Sequence, residues 1–332
     1  MVQSKKKYCK KLIALYLLLN TKKKKMKEIK IFCPATIANV SCGFDVLGLC
    51  LDTTGDQMVI RKVEEPGVKI TKIIGQDLPL EAEKNVAGVA VLAMLKKLNN
   101  TTDGFEIEIY KNIKPGSGIG SSAASSTGAV YGVNQLLGQP FSQHELIAFA
   151  MKGEELASGV PHADNVAPAL LGGFTLVRAT QPLDVIKLHT PSELYATVIH
   201  PQIEVKTADA REILKSKLRL KTAITQWGNI GALVSALYTE DYDLLSRSLH
   251  DEIVEPIRSI LIPAFDLVKE ACKEAGALGS GISGSGPSIF ALSKGEQTAQ
   301  KVAEAMKAVY NKVGVQYDIH ISKVNDQGIK IL

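Results

Sequence analysis

Hydrophobic period divides the chain into short strands and helices. "FEIEIY" (105–110) alternates strictly, with Phe105, Ile107 and Ile109 apolar and glutamates between them. That period predicts a half-exposed strand in an antiparallel sheet. Strands are likewise predicted at 28–32, 57–63, 68–73, 174–179, 195–201 and 317–324, the last as the final strand. "NVAGVAVLAMLKKLNN" (85–100) changes period: Val86, Val89, Leu92, Leu95 and Leu98 share one helical face, with lysines in the last turns where the helix dipole favours them. A second helix runs to about Leu137 and is stopped by Gly138 and Pro140. In a third, running to about Leu156, Ser142 and Glu145 form a capping box, and Phe141 with Leu146 a hydrophobic staple. Further helices are predicted at 207–214, 222–238, 243–250, 262–277 and 297–311. Segment 33–52 is punctuated by Pro34, Gly43 and Gly48; 159–173 reads as a loop, and 278–293 as a glycine-serine loop before a strand. Strands alternating with gathered helices imply two α+β domains. We divide them as 26–178, with "FTLVRA" (174–179) closing the first half, and 179–332.

Composition removes several function classes. Apolar residues make up 45% and charged residues 22%, ordinary globular usage. Aromatics at 5% and the single Trp227 argue against stacking on single-stranded nucleic acid. The net charge of +5 misleads, because residues 1–25 hold nine lysines and no acid, so residues 26–332 carry −4. The body is not drawn to a phosphate polymer, and no nucleic-acid or membrane partner is expected. "LIALYLLL" (12–19) is too short to span a bilayer and no small-residue cleavage site comes after it. We read residues 1–25 as a basic extension, disordered or not native, with Met26 opening the folded chain, ahead of a targeting signal or a surface anchor. Five scattered cysteines without a CxxC pair fit a reduced, cytoplasmic protein.

The densest chemistry lies in "KPGSGIGSSAASSTG" (114–128), with four glycines and five serines. No Gly-Lys pair comes after its glycines, so it is not a Walker A loop. Gly118, Gly120 and Ala123 satisfy GxGxxA, but the preceding strand alternates with glutamates and no second strand ends in an acid about 20 residues on, which excludes the dinucleotide fingerprint. Two readings remain open on these residues alone. One is an anion cradle of backbone N–H groups running into a helix N-terminus. The other is a flexible turn whose serines merely cap the helix.

The motif "PGSGIGSSAAS" resembles the phosphate loop of the GHMP kinases, with Ile119 where leucine is commoner. The resemblance extends over residues 28–332. "PATIANVSCGFDVLGLCL" (34–51) resembles the family's first motif and "ISGSGPSIFAL" (282–292) its third; "HADNVAPALLGGF" (162–174) and "TADAREIL" (207–214) resemble segments of the members that act on L-homoserine. The resemblance implies a two-domain α+β GHMP-kinase-like fold with the active site between the domains. It also implies ATP-dependent phosphorylation of the L-homoserine hydroxyl to O-phospho-L-homoserine, with Mg²⁺, and a homodimer. Two alternatives stand beside it: a GHMP kinase for another small hydroxy acid such as mevalonate, and a non-catalytic ligand sensor on the same fold.

The resemblance assigns roles residue by residue. Lys114, Pro115, Gly116, Ser117, Gly118, Ile119, Gly120, Ser121, Ser122, Ala123 and Ala124 correspond to the triphosphate loop, and Asn85 to an adenine-pocket residue. Ser122 and Glu154 correspond to the Mg²⁺ partners; Glu154 also sits near a helix end, where its charge opposes the dipole. Asp164 and Asn165 correspond to the catalytic pair. An aspartate can accept the hydroxyl proton and an asparagine can only orient the hydroxyl, so a base at Asp164 stands against direct attack without one. Asn39, Asp45, His162, Thr207, Arg211 and Arg258 correspond to substrate residues, with Asp45 facing the ammonium and the arginines the carboxylate. Segment Ser283–Pro287 shapes the loop.

Overall fold

The computed structural model describes residues 27–332 apart from Glu204, Lys206 and Ser216, and the side chains of Thr207 and Ala208 are likewise not described. The expected extension at 1–25 lies outside the described residues.

The first layer is a seven-stranded sheet in the order β11 (Lys330–Ile331), β1 (Glu28–Ala38), β2 (Leu47–Val63), β4 (Gly104–Tyr110) and β3 (Gly67–Ile74), with β5 (Phe174–Thr180) on β2 and β6 (Leu183–Leu188) on β5. Strand β1 (Glu28–Ala38) starts with alternating burial and ends buried on both faces. Strand β2 (Leu47–Val63) pairs with it antiparallel, shifting register between Pro34 and Thr36, where proline has no N–H to donate. Segment 33–52, read in the sequence only as punctuated by Pro34, Gly43 and Gly48, is mostly strand, and residues 39–46 turn. Strand β3 (Gly67–Ile74) runs parallel to β4 (Gly104–Tyr110), which is antiparallel to β2 as its alternation predicted.

Three helices cover one face: α1 (Val86–Lys97), α2 (Ser121–Leu136) and α3 (Gln143–Ser158). Small side chains from Ser121 to Ala129 let α2 sink into the core, and most of it is buried. The capping box of α3 forms as expected, and Phe141 packs edge-on against Phe149. The loop expected at 159–173 contains a helix, α4 (Val166–Leu171). Its six residues are too few to show a period, and Pro168 sits in the first turn, where its missing N–H has no partner to lose.

Strand β5 (Phe174–Thr180) does not close the first half. It hairpins into β6 (Leu183–Leu188), and β11 (Lys330–Ile331) returns at the C-terminus to pair with β1, after the strand expected to be last. The division expected at 178/179 therefore cuts through β5.

The second layer is β10–β7–β9–β8, antiparallel throughout. Its members are β7 (Leu194–Pro201), β8 (Gly279–Ile282), β9 (Ile289–Lys294) and β10 (Tyr317–Lys323). The start of the glycine-serine segment expected as loop is strand β8. Helices α5 (Thr207–Glu212), α6 (Leu220–Thr239), α7 (Tyr242–Ser248), α8 (Glu255–Arg258), α9 (Phe265–Glu274) and α10 (Glu296–Val313) complete the chain. Period two sorts the core. Ile199, Ile289 and Ala291 face a cluster with Phe265, Val268, Val302, Met306 and Tyr310, while Val198, Phe290 and Leu292 join the larger core of the first layer with Leu233 and Leu237. One sheet thus bonds both cores into a single body, and a cavity opens where the layers meet.

Candidate active site

The cavity measures about 530 Å³ and is lined from both layers. One end is the glycine-serine loop. Gly116, Gly118 and Gly120 have φ of +73°, +81° and +73°, the left-handed region that a side chain strains. At Gly118 a Cβ would also lie 2.6 Å from the carbonyl oxygens of Ser283 and Gly286. The loop's carbonyls are held from behind: Ser283 Oγ donates to Gly118 O at 2.7 Å, Ser288 Oγ to Ser117 O at 2.6 Å, and Thr36 N to Ile119 O at 3.2 Å. Ser121 and Ser122 line the cavity in the first turn of α2, where backbone N–H groups have no intrahelical acceptor. Carbonyls turned away and orphan donors at a helix end make an anion cradle.

Beneath the cradle lies a cation that sequence reasoning missed. Lys111 is buried, pairs with buried Asp56, and donates to Ser121 O at 2.9 Å and Ser125 Oγ at 3.1 Å. Asp56 in turn accepts from the backbone N–H groups of Asn112 and Ile113 at 2.7 and 2.9 Å. The signal was in the strand periods. Lys111 continues the inward phase of Phe105, Ile107 and Ile109, and Asp56 that of Met58 and Ile60. Opposite charges at inward positions of paired strands require each other.

Two buried acids face the loop. Glu154, from the last turns of α3, accepts from Ser122 Oγ at 3.0 Å through one carboxylate oxygen; the other is buried without a hydrogen-bond partner. Burial, and secondarily Asp164, push its pKa up to about 7, against the pull of the Ser122 hydrogen bond. Asp164 is also pushed up to about 7, first by burial and then by Asp45. Asn165 Oδ1 accepts from Thr36 Oγ1 at 2.7 Å, which fixes the amide.

A charged group lines the same cavity. Arg211 Nη2 donates to both oxygens of Asp45 at 2.8 Å, and His162 Nδ1 lies 3.7 Å from Asp45. Burial lowers the His162 pKa, so that the ring favours its neutral form. Buried Arg258 donates from Nε to Ala210 O at 2.7 Å and from Nη1 to Gly284 O at 3.3 Å. Asp45 stands at the end of a strained turn, in which Asn39, Val40, Ser41 and Asp45 itself have positive φ. Asn39 holds that turn, donating to Gly284 O at 2.7 Å and accepting from Asp45 N at 3.0 Å. Strain held in place by several hydrogen bonds is typical of a ligand clamp.

An anion cradle, two acids and a group of two arginines in one cleft call for comparison with known proteins. The family model described as GHMP kinases N terminal domain matches residues 85–173, and that of the GHMP kinases C terminal matches residues 233–312. A protein named homoserine kinase from Chlorobium phaeobacteroides is 47% identical over 92% of this chain and 100% of its own length. The chain belongs to the GHMP kinases. Another protein of that name, from Methanococcus vannielii, is 41% identical over 86% of this chain and 94% of its own. The crystal structure of a homoserine kinase from Cytophaga hutchinsonii superposes with a TM-score of 0.90 at 52% identity, covering 93% of this chain and 99% of that one. The L. major mevalonate kinase, at 17% identity and TM-score 0.62 over 90% of this chain and 95% of that one, shares the fold alone.

Within this GHMP kinase fold the expected site residues separate into two sets. Asn39, Asp45, Pro115, Gly116, Gly118, Gly120, Ser121, Ser122, Glu154, His162, Asp164, Asn165, Arg211 and Arg258 line the cavity. Asn85 does not: its side chain caps α1 by accepting from Ala87 N at 2.9 Å and donates to Pro79 O at 2.7 Å, so the amide is used within the protein. Lys114 turns its ammonium to Gln202 Oε1 at 3.0 Å. Ser117, Ile119, Ala123 and Ala124 are buried behind the loop and give it shape. The Ser121 hydroxyl donates to Ile113 O at 2.9 Å, which leaves the backbone N–H as this residue's donor for a ligand. The side chain of Thr207 lies outside the described residues. The apolar side of the cleft, unread in the sequence, is formed by Leu78, Val86 and Ala157.

Proposed function

We propose that the chain transfers the γ-phosphoryl group of ATP to the side-chain hydroxyl of L-homoserine, giving O-phospho-L-homoserine and ADP. The observation that carries this reading is the grouping of Asp45 with Arg211 and Arg258 in the same cavity as the cradle. An acid beside two arginines is complementary to an ammonium next to a carboxylate. The relatives named homoserine kinase, similar along nearly their whole length, support it.

Phosphoryl transfer asks mainly for positioning and charge neutralisation. The N–H groups of the loop and first turn of α2 bind the triphosphate, and Lys111 sets positive charge beneath them. Ser122 and Glu154 fit a magnesium ion: both offer oxygen, and one oxygen of Glu154 is buried without a partner. When bound there, the ion neutralises charge on the phosphates. Asn165 orients the substrate hydroxyl. Its oxygen forms the new bond to γ-phosphorus, the bond from that phosphorus to the bridging oxygen breaks, and ADP leaves with the electron pair. The released proton passes to the Asp164 carboxylate, whose raised pKa suits proton exchange near neutrality. The cysteines among the described residues are free and buried, which suits a reduced cytoplasmic setting, and no described helix is long and apolar enough to cross a membrane.

A coupled ADP-release assay tests the proposal. L-homoserine should be turned over and 4-hydroxybutanoate, its deaminated analogue, should not. Turnover of mevalonate in place of L-homoserine, or nucleotide binding without a phosphorylated product, would refute it.

A further inference from the structure

Between the strained turn and the two arginines stands an aromatic ring that phosphoryl transfer itself does not use. The ring centroid of Phe44 lies 5.5 Å from Arg211 Cζ and 5.0 Å from Arg258 Cζ. Phe44 lines the cavity, so the ring and both guanidiniums share one wall. Two cations set side by side repel each other. Burial first, and Arg211 next, press the pKa of Arg258 down to about 10. The hydrogen bonds of these guanidiniums hold them one at a time: Arg211 on Asp45, Arg258 on Ala210 O and Gly284 O. Phe44 stands against both. An aromatic face carries negative potential and attracts a guanidinium within about 6 Å of its centre. An aliphatic side chain of similar bulk would fill the space without attracting either cation.

We propose that Phe44 is a positioning and specificity-determining residue: its ring holds Arg211 and Arg258 together as one receptor for the α-carboxylate of the amino-acid substrate. The inference rests on the L-homoserine reading. It extends it by explaining how two arginines and one acid recognise a zwitterion. Asp45 comes directly after Phe44 and, with φ of +61°, turns its carboxylate onto Arg211. The same turn therefore presents the acid for the ammonium and the ring beneath the arginines. A substrate bearing both charges replaces the Asp45–Arg211 pair with two new pairs. A ligand bearing only the carboxylate draws Arg211 away and leaves Asp45 without its cation.

The test compares Phe44→Leu, which keeps bulk without a π-face, with Phe44→Tyr, which keeps the face. Phe44→Leu should raise KM for L-homoserine about tenfold, with kcat and KM for ATP changed less than about twofold. Phe44→Tyr should restore KM. Equal KM values in wild type and Phe44→Leu would overturn the proposal, as would a parallel rise in KM for both substrates or equal loss in both variants. A crystal structure of Phe44→Leu needs no turnover: the two guanidiniums should separate, and unchanged positions would overturn the inference even if the wild type proved inactive on L-homoserine. Inactivity of the wild type is by itself a failure of the functional reading.

Discussion

Glu154→Gln separates the electrostatic role of this carboxylate from its packing. Glutamine has nearly the same shape and can still accept from Ser122, but it cannot ionise. The wild-type side chain is buried, and its pKa rises from 4.5 to about 7. Below about pH 4.5 the group is protonated in the folded and the unfolded chain alike. Between about 4.5 and 7 the folded state keeps a proton that the unfolded state has released, so stability falls as pH rises and levels off above about 7. The gap corresponds to about 3 kcal/mol. The glutamine variant lacks this loss. In thermal melts without divalent metal, it should therefore melt about 5 °C above wild type at about pH 8.5, with the gap closing near pH 4.5. Activity should move the other way, with kcat falling about a hundredfold. Magnesium with a non-hydrolysable ATP analogue should stabilise the wild type more than the variant. A melting difference that does not change with pH would refute the electrostatic role, because packing alone would then account for it.

Asp164→Asn should lower kcat by about a hundredfold or more with little change in KM; a variant keeping most of its turnover would remove the base assignment in favour of direct attack. Gly118→Ala should raise KM for ATP sharply, since its Cβ meets two carbonyl oxygens at 2.6 Å and φ is unfavourable, and it should cost about 1–3 kcal/mol in denaturant unfolding. Lys111→Met leaves Asp56 charged and buried, so unfolding free energy should fall by about 3–5 kcal/mol. The double variant with Asp56→Asn, which removes the charge but keeps an acceptor for the N–H groups of Asn112 and Ile113, should recover much of that loss, and nucleotide affinity should stay low.

Long periodic segments were legible in the sequence because one face of each is buried. The alternation at 105–110 and the capped helix from Ser142 are the plainest cases. Elements with no free face were not. Strand β2 begins at Leu47 within a run buried on both sides, and α4 has no period to display. The hairpin β5–β6 and the return of β11 depend on pairing between distant segments, which local patterning does not carry. In the site, polar residues of unusual context were legible, namely the glycine loop and Glu154 at a helix end, whereas Arg211 came only from the resemblance. Resemblance placed Asn85 in the adenine pocket, but the need to cap α1 claimed its side chain. Lys111 escaped because it belongs to no Gly-Lys motif; its meaning lay in strand phase.

The hydroxyls of Ser283 and Ser288 bond to loop carbonyls 165 and 171 residues earlier in the chain. During synthesis, therefore, the glycine loop leaves the ribosome long before the residues that hold its carbonyls back. The first sheet can pair most of its strands early, but the cradle takes its final shape only once β8, its adjoining turn and β9 have emerged. Arg258 arrives late as well, and Arg211 only long after its partners Asp45 and Phe44. Nucleotide binding thus becomes a property of the nearly finished chain, and an N-terminal fragment ending near residue 190 should fold its sheet without binding ATP.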